Sequence, residues 1–217
     1  LITYKPNFLF SYNHLAHQEF LVEADALSAM NQLYFESMRL GDLRDHFEKA
    51  EPIIRMAHML AFDISAIRSA DAPANRDTQP FGLSGEEACR IMWYAGLNER
   101  MKSVSISEFN PSEDQQHNKT AKVVATMVWY FIEGFYHRKD TGEFNSSAYT
   151  KYTVSFEGTD DTLTFYKSRK SEKWWMLVKY GEAFMDRAYI PCSYEDYTQA
   201  THGDFPERWI KAQGKLL

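Results

Sequence analysis

Asp63 is where this sequence first offers chemistry. It follows four apolar residues, Met59, Leu60, Ala61 and Phe62, so it stands where an apolar strand leaves the core. A carboxylate taken out of water is costly, and at the rim of a sheet a cation can offset that cost. Ser65 follows two residues later, and Asp71 comes after it, close to Pro73. The plain rival reading is an aspartate that caps the next turn. Glu87 is the second carboxylate of interest. In Ser84-Gly85-Glu86-Glu87 it fills the third helical position of a capping box, where its side chain reaches back to the backbone N–H of the cap residue. His14 and His17, in "HLAH", have a spacing that two ligands on a helical turn can use, yet they read as an ordinary loop pair. Glu108 and Asn110 read as structural: a buried carboxylate and an Asn-Pro turn that fix a strand's exit.

These residues need elements to hold them. Strands are expected over Asn7–Tyr12, Glu19–Val22, Met59–Asp63 and Val104–Phe109. Helices are expected over Ala24–Leu40, closed by Gly41, and over Leu43–Lys49, Ser84–Ala95 and Thr120–Tyr136, the last ending near Gly134. Strand and helix alternate, which argues an α/β layered fold with a mainly parallel sheet. In such sheets ligands sit beyond the carboxyl ends of the strands, where Asp63 and Glu108 fall. The tail changes character. Tyr152–Phe156, Thr162–Tyr166 and Trp174–Val178 alternate and are split by polar turns, so they read as an antiparallel meander, before a last helix near Pro206–Lys211. Trp174 and Trp175 fall on opposite faces of their strand, one in the core and the other either an oligomer contact or covered by the same chain. With no repeat or low-complexity linker, residues 1–217 read as one domain with the meander, 150–180, inserted in it.

Composition excludes several classes. With 44% hydrophobic and 25% charged residues the chain is of ordinary globular type. A net charge of -6 without a Lys/Arg stripe argues against nucleic acid as a partner. No apolar run approaches the roughly 18 residues of a membrane span. Two cysteines far apart, Cys89 and Cys192, support neither a disulfide framework nor a zinc site and fit a reducing, cytoplasmic compartment.

Three stretches together resemble the ureohydrolase family of arginase, agmatinase and formimidoylglutamase. "AFDISAIRSADAP" resembles the family's strand motif Ser-Phe-Asp-x-Asp and the turn after it. "FGLSGEEACRIMWYAG" resembles its Gly-Leu-Thr/Ser…Glu-Glu helix start, and "ISEFNPSEDQQHNKTAKVVATMVW" its Glu-Val-Asn-Pro segment. "SADAP" and the "GEEA" helix look most like formimidoylglutamase-type bacterial members.

The resemblance implies a three-layer, arginase-like α/β fold and a binuclear manganese centre hydrolysing a linear amidine or guanidino compound. N-formimino-L-glutamate is the foremost substrate, with arginine and agmatine as alternatives. Asp63 matches the first aspartate of the metal motif, at the end of a central parallel strand and facing the same crevice as Glu87. Ser65 stands where the second metal-binding aspartate is expected, and Glu87 matches the glutamate that contacts the substrate. A neutral hydroxyl in place of a carboxylate removes one negative charge from the metals' ligand set. A non-catalytic relative with a degraded metal site is therefore the competing reading. The family's Asp-x-His-x-Asp cluster is absent from the sequence. The chain accordingly reads as the C-terminal part of a longer protein, expected to associate with the missing half or with its own copies through an apolar sheet face on the side of Asp63.

Overall fold

The computed structural model describes residues 9–115, 117–156, 162–182 and 185–216. By its internal contacts the chain divides into two compact units. One holds residues 13–27 and 37–138, and the other residues 1–12, 28–36 and 139–217.

The first unit carries β1 (Asn13–His17), β2 (Glu36–Arg39) from its second residue on, α2 (Leu40–Asp45), α3 (Ala50–Met56), β3 (Met59–Asp63), α4 (Gly85–Gly96), β4 (Ser103–Ser107) and α5 (Lys119–Tyr136), while α1 (Ala24–Gln32) has residues in both units. β1 pairs with β2, and β3 pairs in parallel with β4 in the register Met59–Ser103 to Asp63–Ser107. Phe62, Leu60, Val104 and Ile106 pack into a core with Leu43, Ile54, Ile91, Met92 and Met127. α4 and α5 meet at a glycine pair. A Cβ on Gly134 would lie 2.6 Å from the Trp93 carbonyl oxygen, and one on Gly96 would strike the Phe131 carbonyl. Gly134 is thus a close-packing residue in the last turn of α5, which ends at Tyr136 as the sequence implies.

β3 has β4 as its one partner among the described residues, so it is an edge here and not a central strand. The open face carries Met59, Ala61 and Asp63 beside Ser103, Ser105 and Ser107. It is small and polar apart from Met59, which corrects the expectation of a broadly apolar surface on the Asp63 side. Ser-Val-Ser-Ile-Ser alternates with the period of a strand covered on one face. The exposed apolar stripe lies instead on α5, at Val128, Trp129, Ile132, Phe135 and Tyr136.

The second unit holds an antiparallel sheet in the order β5 (Tyr149–Ser155), β6 (Thr162–Ser168), β7 (Trp174–Tyr180), β8 (Asp186–Cys192), followed by α6 (Tyr194–Thr201) and α7 (Glu207–Leu216). The meander of the sequence reading is here, extended by β8. Both tryptophans of β7 are buried by their own chain: Trp175 against Tyr149 and Phe144, and Trp174 stacked on Tyr197 at 4.9 Å. Cys89 and Cys192 are free thiols, and both are buried. Among the described residues no helix is long and apolar enough to cross a membrane.

Several expected boundaries move. Of the strand expected at Asn7–Tyr12, residues 7 and 8 lie outside the described set and 9–12 form no strand; pairing starts at Asn13. Glu19–Leu21 is a short 3-10 turn rather than a strand. The helix expected to run from Ala24 to Leu40 stops at Gln32, because Tyr34 takes a left-handed φ of 55° and the Phe35 N–H returns to the Met30 carbonyl. Gly41 then lies inside α2 and caps nothing.

Candidate functional site

Asp63 and Ser65 stand where β3 ends. The chain leaves Asp63 into a 3-10 turn, Ile64–Ala66, and Asp63 caps it. Its Oδ1 accepts the Ser65 N–H at 2.8 Å and the Ser65 hydroxyl at 2.7 Å. The next residues pair with the segment leading into α4: Leu83 N–H donates to the Ala66 carbonyl at 2.8 Å, and Arg68 N–H to the Leu83 carbonyl at 2.9 Å. Gly82 is held so tightly there that a Cβ would come within 2.5 Å of the Ala66 oxygen. This strap ties the turn after Asp63 to the segment that leads into α4, the helix that carries Glu87.

Glu87 completes the capping box that its spacing implies. The Ser84 N–H donates to Glu87 Oε2 at 2.7 Å, and the Glu87 N–H donates to the Ser84 hydroxyl at 3.1 Å. It also carries an ion pair that sequence reasoning missed. Arg44, on α2, donates from Nε to Oε1 at 2.8 Å and from Nη2 to Oε2 at 3.1 Å, with a further Nη2 bond to the Gly82 carbonyl at 2.6 Å. No local signal marks Arg44, because its partner is 43 residues away. Partial burial pushes the Glu87 carboxyl upward, but Arg44 and the Ser84 N–H outweigh it and hold the pKa below the ordinary carboxylate value.

Asp71 supports the same helix end. Its Oδ2 accepts the Gly85 N–H at 2.9 Å and Arg68 Nε at 2.8 Å. Burial works against the charge, yet these two donors lower its pKa. The chain on either side of it is tied to α5: Lys119 Nζ donates to the Ala70 carbonyl, and the Ala74 N–H donates to the Thr120 hydroxyl at 3.0 Å.

Glu108 is exposed, not buried as the sequence reading has it, and sits at a left-handed φ of 65° past the end of β4. Asn110 does cap the chain's exit, accepting the Ser112 N–H at 3.2 Å and the Ser112 hydroxyl at 2.7 Å. His14 and His17 lie within β1 rather than in a loop, ring centroids 5.3 Å apart. A groove of about 660 Å³ runs between α4 and α5, lined by Asp71, Cys89, Trp93, Lys119 and Tyr130 but not by Asp63, Ser65 or Glu87.

No three His, Cys, Asp or Glu side chains converge on a possible metal position among the described residues. Asp63 and Ser65 offer at most a carboxylate and a neutral hydroxyl, already bonded to each other. That set does not fit a binuclear manganese centre, whose two dications need several anionic oxygens.

A model of the arginase family matches residues 16–133, more than half of the chain, from the end of β1 to near the end of α5. This chain belongs to the arginase family. Solved structures agree on the fold. A formiminoglutamase of Trypanosoma cruzi, solved with Mn2+ at pH 6.0, is 22% identical with a TM-score of 0.52, over 58% of this chain and 45% of its own. Formimidoylglutamase from Bacillus subtilis is 15% identical with a TM-score of 0.53, over 59% of this chain and 42% of its own. The family chain described here therefore spans less than half the length of these structures. No curated protein matches it in sequence. The arginase-family match falls on the α/β residues, and the antiparallel sheet lies outside it.

Proposed function

We propose that this chain carries the amidine-recognising part of a ureohydrolase-type site, in which Glu87 takes the planar N–C–N group of a linear amidine. One observation carries this reading. Glu87 already binds a planar nitrogen fork, the guanidinium of Arg44, with two N–H donors on its two oxygens. An amidinium presents the same pair of donors. Likeness to formiminoglutamases favours N-formimino-L-glutamate, hydrolysed to L-glutamate and formamide, over arginine and agmatine. Hydrolysis of this kind depends on a binuclear manganese centre in the family that the motifs resemble, and the described residues do not complete that centre.

A second reading is a binding protein without turnover. The interlocked Asp63 and Ser65 favour it, since their turn is satisfied with no cation. Formamide release from N-formimino-L-glutamate with added MnCl2, beside calorimetric binding of the same compound, separates the two. Release that is lost in Glu87→Gln supports the enzyme. Binding lost in Glu87→Gln, with no release in the parent, supports the second reading. An affinity that Glu87→Gln leaves unchanged removes the proposed role of Glu87 in both.

A further inference from the structure

Resting on the reading of Glu87 as the amidine-binding carboxylate, we propose that Arg44 makes this site selective for amidines that also carry a carboxylate, by exchanging ion-pair partners when the ligand arrives. Glu87 is the fixed member of the pair. The Ser84 N–H anchors its Oε2, it stands at the positive end of α4, and its side chain is only 21% exposed. Arg44 is the looser member, with a side chain 43% exposed. Its Nη1 takes no part in the fork.

An incoming amidinium needs the oxygens that Arg44 now holds. Leaving costs Arg44 its two-donor fork on Glu87, while its bond to the Gly82 carbonyl can hold the guanidinium beside the site and water can reach its 43% exposed side chain. The consequence lies in where it goes. Arg44 set free beside a bound amidinium leaves two cations facing one carboxylate. A ligand carboxylate restores the balance, with the amidinium on Glu87 and the carboxylate on Arg44. A ligand with an amidinium alone leaves Arg44 unpaired next to a like charge. The Arg44–Glu87 pair is thus the complement of a zwitterion, and it selects against decarboxylated amidines through an unpaired cation as much as through a new contact.

Arginine and agmatine differ in this carboxylate, which makes them a matched probe pair. Isothermal titration calorimetry of the 217-residue chain should give arginine an affinity about fivefold or more above agmatine. In Arg44→Ala the ratio should fall to near one, with agmatine binding more tightly than in the parent. Arg44→Lys keeps the charge without the fork and should retain part of the ratio. It also serves as the test should Arg44→Ala fail to fold, with Arg44→Gln as the neutral comparison. A residue that merely braces α2 against α4 would weaken both ligands equally and leave the ratio alone. A ratio that persists when the Arg44 charge is removed overturns this proposal while the amidine reading stands. If neither arginine nor agmatine binds the parent chain or any variant, both fall.

Discussion

Asp114→Ala tests how the rim is held. α5 starts after Asn118, a residue at a left-handed φ of 56° that makes no side-chain cap of its own. Asp114 supplies the cap from outside the helix, accepting the Thr120 N–H on Oδ1 at 3.1 Å and the Ala121 N–H on Oδ2 at 2.8 Å. Alanine removes both acceptors at once. Thr120 is fully buried, so its N–H cannot turn to water, and an orphaned buried donor costs about 1–3 kcal/mol. Ala121 is half-buried, and its loss is that of an ordinary helix cap, about 1 kcal/mol. The sum is about 2–4 kcal/mol, which corresponds to a fall of about 5–15 °C in Tm for a chain of this size. Asp114→Asn keeps one acceptor oxygen and should lose about half as much. Thermal unfolding reads the total, and amide exchange at Thr120 and Ala74 reads the place. Ala74 is included because it bonds the Thr120 hydroxyl, so a frayed α5 should also release the loop that carries Asp71. A fall below about 2 °C, or unchanged exchange at Thr120, would refute the claim that Asp114 fixes this helix start.

Three further outcomes follow from the same geometry. Gly134→Ala should destabilise by about 1–2 kcal/mol in urea unfolding, because overpacking at the α4–α5 crossing exceeds the helix propensity gained; an unchanged midpoint would mean the helices separate freely. Glu87 and Asp71 both have depressed pKa values in the folded chain, so their stabilisation is present above the ordinary carboxylate pKa and is lost as pH falls through the lowered one. Glu87→Gln should therefore flatten the acid limb of stability against pH, and an unaltered limb would count against the Arg44 pair. Ser65→Asp should raise Mn2+ binding by adding an anionic oxygen and releasing Asp63 from the serine hydroxyl; a Mn2+ titration no stronger than the parent's would sink the metal role given to these two positions.

The elements that the sequence made legible are those whose signals are local. Met59–Asp63 starts and stops as its apolar run implies, and α4 starts at the Ser84 capping box. The misreadings come where a tertiary contact decides. Tyr34 ends α1 without glycine, its backbone turning back so that the Phe35 N–H reaches the Met30 carbonyl. β8 holds Pro191, which discourages a strand assignment, yet it is an edge strand, where proline is tolerated. α6 did leave a signal, Ser193 with Asp196 three residues on, a capping box that the structure completes. At the site, Asp63, Ser65 and Glu87 were visible as residue types in motifs. Arg44 was not, because an ion pair between two helices has no period or spacing in one dimension.

The two strand exits bear on what Asp63 and Ser65 are for. In an extended strand, residues two apart share a face, and two aspartates so placed would repel unless a cation lay between them. Here β3 stops at Asp63, and the chain folds Ser65 back so that its N–H and hydroxyl both reach Oδ1. Beyond β4 the chain repeats the device, with Asn110 accepting the Ser112 N–H and hydroxyl on one oxygen. Asparagine offers no anionic oxygen, so the second copy is accounted for by its turn bonds alone. The first copy has the same geometry with one more negative charge. Local structure therefore accounts for Ser65 fully and for Asp63 in part, and the metal role of the pair rests on the family motif rather than on the turn. The charge is the difference that remains to be explained. A turn lock works equally well with asparagine, as Asn110 shows, whereas only aspartate also offers a cation an anionic oxygen.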